Sequence, residues 1–141
     1  MRGDIVREGK GEHRNRILIV DDDRDAREMF GTVLADAGYA VEVAEDGFQA
    51  MEKLPESRPD LVLTDLRMPG MHGVDLAQRI RSLSDVPVVL TTGMETFDLC
   101  TGADAYGAVA CLLKPVNLED LLWTIDCALA CRPARRPPPL A

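Results

Sequence analysis

No stretch of this chain is apolar for anything near the ~18–20 residues that a membrane-spanning helix needs. Residues 1–16 are polar and charged and lack the apolar core of a secretory signal, so a cytoplasmic location is expected. Positive charge is in deficit as well. Sixteen Lys and Arg against 24 Asp and Glu leave a net charge of −8. That argues against nonspecific contact with nucleic acid or an anionic membrane. There is no C-x-x-C pair, and the two histidines, His13 and His72, give no four-ligand zinc set with Cys100, Cys111, Cys127 and Cys131. Cys127 and Cys131 stand i, i+4 on an expected helix. A two-ligand metal site there is weighed against the commoner role of a buried small hydrophobe, and the latter is favoured. In a cytoplasmic chain all four cysteines are expected to be reduced thiols.

What the chain does have is the composition of one globular domain: 141 residues, 46% hydrophobic and 28% charged. Its apolar residues come in short bursts at Ile17–Val20, Val41–Ala44, Leu61–Leu63, Val88–Leu90 and Val109–Leu113. Most are unbroken, as in strands covered on both faces, whereas Val41-Glu42-Val43 alternates and suits an edge. Between the bursts the period changes to that of a helix. Ala26, Met29, Phe30, Val33, Leu34 and Ala37 form one apolar stripe, stopped at Gly38. Ala50, Met51 and Leu54 mark a short second helix ending before Pro59, and Leu76, Ala77, Ile80 and Leu83 a third. Leu118, Leu121, Leu122, Ile125 and Leu129 mark the last, with Asn117 as N-cap. The segment Thr96–Tyr106 has weak helix propensity, but a crossover between two parallel strands requires an element there.

The order is thus strand then helix, five times over. Right-handed crossovers place helices on both faces of one parallel sheet, an α/β doubly wound fold whose ligand site lies at the carboxyl ends of the strands. Residues 1–15 carry no apolar pattern and are expected to be a flexible leader, with the domain at 16–131. Residues 132–141, with Pro133 and Pro137–Pro139, are expected to be a disordered tail. The Arg135-Arg136 pair in it is compatible with a docking motif.

The strand ends carry the chemistry. The first burst runs into Asp21-Asp22-Asp23, the third into Asp65, the fourth into Thr91-Thr92-Gly93 and the fifth into Lys114-Pro115. Clustered carboxylates repel one another, and a hard divalent cation such as Mg²⁺, held by oxygen ligands and waters, relieves the repulsion. Lys114 adds a fixed positive charge and Thr92 a hydroxyl. Together these suit a phosphoryl group, with one carboxylate as nucleophile. Singly, each residue has an ordinary explanation: Asp23 as a helix cap, a threonine in a turn, Lys-Pro in a loop. Their coincidence at four strand ends is what points to a site.

At this point the chain resembles the receiver domain of two-component response regulators. The matching stretches are Ile17–Asp23, Ala44–Gly47, Asp60–Gly70, Pro87–Gly93 and Leu112–Pro115, and the likeness covers about residues 15–131. The resemblance implies a flavodoxin-like (βα)5 fold with strand order 2-1-3-4-5. It implies Asp65 as phosphoacceptor. It makes Asp22 a direct Mg²⁺ ligand, with Asp21 acting through water, Asp65 itself in the metal site, and Arg67 lending its backbone carbonyl. It makes Thr92 the switch hydroxyl and Lys114 the phosphoryl-contacting lysine, gives Thr91 a packing role, and suggests a cis peptide before Pro115. Three departures stand out: Cys111 occupies a place where the family often has an aromatic ring; Arg67 and Met94 occupy positions that help set acyl-phosphate lifetime; and no effector domain follows in this sequence.

The expectation is therefore a stand-alone, non-enzymatic receiver. Its phosphoryl donor is a sensor histidine kinase or a histidine phosphotransfer protein, and its output is contact with an unknown downstream protein. No contact with nucleic acid or membrane is expected. A Mg²⁺-dependent phosphatase of the haloacid dehalogenase type would need a second Asp two residues after the nucleophile, where this chain has Arg67. A scaffold that never takes phosphate would have no need of the Asp22, Asp65, Thr92 and Lys114 set, and a fragment of a longer protein is a further alternative.

Overall fold

The computed structural model describes residues 14–93 and 108–131, except the side chain of Cys131. The expected leader and tail, Met94, and the expected helix at Thr96–Tyr106 fall wholly or mostly outside these residues. Five strands form one parallel sheet in the order β2-β1-β3-β4-β5. They are β1 (Arg16–Val20), β2 (Ala40–Ala44), β3 (Leu61–Asp65), β4 (Val88–Thr92) and β5 (Ala110–Leu113). The described helices are α1 (Arg24–Asp36), α2 (Gly47–Ser57), α3 (Gly73–Leu83) and α4 (Leu118–Cys131). The doubly wound sheet and its strand order are as expected.

The unbroken apolar runs follow from burial on two faces. Leu18, Val20, Val62, Val88 and Leu90 point to one side, where Ala50 of α2 and Leu76, Ala77 and Ile80 of α3 close over them. Ile17, Ile19, Leu61, Leu63 and Val89 point to the other, against Phe30 and Leu34 of α1 and Leu121 and Ile125 of α4. With a strand period of two, the apolar residues of a central strand alternate between the two cores, and all are buried. Each large aliphatic side chain so buried contributes about 1.5–3 kcal/mol.

The helix ends obey local chemistry. Asp23 caps α1, its carboxylate accepting from Asp25 N–H at 3.1 Å. Asp46 caps α2, accepting from Gln49 N–H at 2.8 Å, while the Gln49 side chain reaches back to Glu45 N–H at 2.9 Å. Asn117 accepts from Glu119 and Asp120 N–H at 2.8 and 3.1 Å at the start of α4, as expected. Gly38, at φ +103°, takes the left-handed turn that ends α1. The next residue, Tyr39, donates its hydroxyl to Asp126 of α4 and ties the two helices of one face together.

Two features differ from the expectation. The run Val109–Leu113 looks like a strand covered on both sides, but β5 forms the second edge of the sheet and is half-buried along its length, with Val109 exposed. Strand order decides burial here, and an apolar run does not report its place in that order. The cysteines differ too. Cys111 is disulfide-bonded, while Cys127 is a free, half-buried thiol. The expectation of reduced thiols rested on compartment; a disulfide depends on how closely two sulfurs are brought together by the fold.

Candidate functional site

Parallel strands in register deliver their last residues to one end of the sheet. Val20 pairs with Thr64, Asp65 with Thr91, and Thr92 with Leu113. The residues that follow β1 and β5, and the last of β3, are therefore neighbours: Asp21 and Asp22, Lys114, and Asp65. Carboxylate oxygens of Asp21, Asp22 and Asp65 all lie within 4.8 Å of one another. Asp21 is buried, Asp65 half-buried and Asp22 exposed.

Each member is held from several sides. Asp21 accepts from Asp23 N–H through Oδ1 at 2.9 Å and from Lys114 Nζ through Oδ2 at 3.3 Å. Lys114 Nζ also stands 3.4 Å from Asp65 Oδ2. Its backbone N–H donates to the Thr92 carbonyl at 2.7 Å, beyond the last strand pair, and a cis peptide joins it to Pro115 as expected. Asp65 is fixed by Leu66 N–H donating to the Thr91 carbonyl at 2.8 Å, and its carboxylate accepts from the main-chain N–H of Arg67. Thr91 and Thr92 are both buried at the end of β4. Thr91 Oγ1 has no hydrogen-bond partner among the described residues. Cys111 packs on β5 against the α2–α3 face of the core.

Burial raises the Asp65 pKa above the ordinary carboxylate value; Lys114 opposes this and Asp21 reinforces it. Burial alone would lower Lys114, but Asp65 and Asp21 together outweigh it and hold the ammonium above the usual lysine value. The site thus has more negative charge than its one ammonium balances, the condition in which a divalent cation is favoured. An exposed carboxylate, a half-buried one and a buried one, converging at bonding range, fit Mg²⁺, which takes one or two carboxylates and retains waters. Arg67, the expected carbonyl donor, follows in the β3–α3 loop with its side chain exposed. An apolar groove lined by Met51, Leu54, Leu83 and Val86 reaches Asp60, just ahead of β3, and so lies at the opposite end of the sheet.

Two residues of the site escaped the sequence reading. Gly73 opens α3 with its N–H on the Leu66 carbonyl at 2.7 Å, and a Cβ there would fall 2.3 Å from the Asp65 carbonyl oxygen. The only signal in the sequence is a glycine at a helix start. Arg27 of α1 places Nη1 2.8 Å from the Asp21 carbonyl oxygen, and nothing in its spacing marks it.

This fold and acidic cluster define a doubly wound α/β module with a carboxylate-lined site at its strand ends, and comparison with known proteins gives its family. The model of the response regulator receiver domain matches residues 17–126; the chain belongs to that family. It is 43% identical over 117 residues to the DNA-binding response regulator MtrA of Mycobacterium tuberculosis, covering 82% of this chain and 51% of that protein. It is 40% identical over 109 residues to the response regulator MprA of a Mycobacterium species, covering 76% and 47%. The chain thus spans about half the length of these curated relatives. Among solved structures, chemotaxis response regulator CheY4 of Vibrio cholerae superposes with a TM-score of 0.77 at 34% identity, over 82% of this chain and 99% of that one. A receiver domain protein from Clostridium thermocellum gives 0.78 at 28%, over 82% and 94%.

Proposed function

We propose that this receiver domain is a Mg²⁺-dependent phosphoacceptor whose modified residue is Asp65. One observation carries the reading: the Asp65 carboxylate lies between the acidic pair Asp21–Asp22 on one side and the Lys114 ammonium on the other. A phosphohistidine on a sensor histidine kinase or a histidine phosphotransfer protein is the donor. An Asp65 carboxylate oxygen bonds to phosphorus, the phosphorus–nitrogen bond breaks, and the imidazole leaves. Asp22 and Asp65 would hold the metal directly, Asp21 through water, and Arg67 by its carbonyl; a bound Mg²⁺ would supply charge neutralisation of the phosphoryl oxygens. Lys114 pairs with a further phosphoryl oxygen, and the Thr92 hydroxyl follows the phosphoryl group once it is in place.

The chain adds no general acid where a dehalogenase-type phosphatase needs one, since that position is Arg67. Phosphorylation therefore acts as a charge switch and not as a turnover step. The downstream partner is a protein that reads the surface around β5, the last helix and the helix expected at Thr96–Tyr106, which lies outside the described residues, and the setting is cytoplasmic. The test is intact-mass analysis after incubation with acetyl phosphate and Mg²⁺. Gain of one phosphoryl group by the wild type and none by Asp65→Ala is expected. Equal gain by both, or none by either, would overturn the reading.

A further inference from the structure

We propose that Arg27 is a positioning residue for this site: by holding the peptide between Asp21 and Asp22, it sets where the two metal-facing carboxylates point. The inference rests on the reading of the acidic cluster as a Mg²⁺ site. The Asp21 N–H extends the ladder to β2, donating to the Ala44 carbonyl at 3.2 Å. Its carbonyl lies past the last β1–β2 pair, Val20 with Ala44, where β2 has ended. Asp21 is 1% exposed, so this acceptor needs a protein partner. Arg27 Nη1 supplies it at 2.8 Å.

The bond closes a ring. Arg27 N–H donates to the Asp23 carbonyl at 3.0 Å, Asp23 N–H donates to the Asp21 carboxylate at 2.9 Å, and the guanidinium returns to Asp21. Asp22 is the residue the ring spans. It is exposed, and among the described residues only the backbone on either side restrains its direction. Without the guanidinium the 21–22 peptide loses the one bond on its carbonyl, and any rotation this permits swings the Asp22 carboxylate relative to Asp65. Outer contacts of this kind orient ligands that the metal alone does not. A cation near an acidic site also acts by charge alone, and that effect has the opposite sign: its removal would tighten Mg²⁺ binding.

The test is Mg²⁺ affinity of the unphosphorylated chain by calorimetry, with the metal-free unfolding temperature measured alongside. Arg27→Met keeps the apolar stem and loses the donor; Arg27→Lys keeps a donor. We expect the Met variant to bind Mg²⁺ about tenfold more weakly and the Lys variant to recover most of the loss. If the Met variant does not fold, Arg27→Gln, which retains a neutral donor, takes its place and should fall between wild type and full loss. Wild-type or tighter binding by the donor-free variant would overturn the proposal, as would equal losses in the Met and Lys variants. A wild type that binds Mg²⁺ but takes no phosphoryl group would refute the phosphoacceptor reading and leave this inference standing, because the readout is metal affinity alone.

Discussion

Lys114 and Asp65 face each other across the end of the sheet with 3.4 Å between Nζ and Oδ2, and the same ammonium reaches Asp21 at 3.3 Å. One cation thus holds together two carboxylates delivered by different strands. It is partly open to solvent, so its worth is well below that of a fully buried pair. Lys114→Met should destabilise the metal-free fold by about 1–2 kcal/mol. Because Mg²⁺ neutralises the same carboxylates, adding it should restore part of that loss. Chemical denaturation with EDTA and with Mg²⁺ measures both; an equal loss in the two conditions would place the effect outside the site.

The pKa of Asp65 is raised by burial, so the folded state binds its proton more tightly than the unfolded state does. Stability then falls as pH rises from the ordinary carboxylate range through the raised value. Asp65→Asn removes that loss. In EDTA, the Asn variant should match the wild type at acidic pH and be the more stable of the two at neutral pH. Unfolding temperatures across the pH range check this, and a wild type that gains on the variant as pH rises would contradict it.

Gly73 sits where backbone meets backbone. A methyl group there would lie 2.3 Å from the Asp65 carbonyl oxygen and 2.9 Å from Leu66 Cα, and neither can rotate away as a side chain would. Gly73→Ala should cost about 1–3 kcal/mol, as overpacking does. It should also slow labelling by acetyl phosphate, because relief of the clash moves the end of β3. Gly31, whose added Cβ would meet Val41 at an ordinary 3.8 Å, serves as the control: Gly31→Ala should leave labelling unchanged.

The fold was legible because its central strands are buried on two faces, so that Ile17–Val20 and Val88–Leu90 need no alternation, and because four of the five strand ends carry polar residues with few other reasons to be there. Asp21, Asp22, Asp65 and Lys114 could be grouped by topology alone, since parallel strands bring their carboxyl ends together. What escaped was whatever depends on three-dimensional approach. Arg27 meets Asp21 through one turn of helix, six residues on; Gly73 is distinguished only by what its missing Cβ would strike; and the bonding state of Cys111 is not encoded in its spacing along the chain. The half-burial of β5 is of the same kind, an outcome of strand order that its apolar run conceals.

Reductive trapping tests the central claim most directly. Borohydride reduces an aspartyl phosphate to homoserine, leaving a stable mark at the acylated residue. After exposure to acetyl phosphate and Mg²⁺, the account predicts homoserine at position 65, its absence when EDTA replaces Mg²⁺, and its absence in Asp65→Asn. Homoserine at Asp21 or Asp22 instead, or a phosphoryl group recovered on a Ser, Thr or His of the wild type with position 65 unchanged, would contradict it.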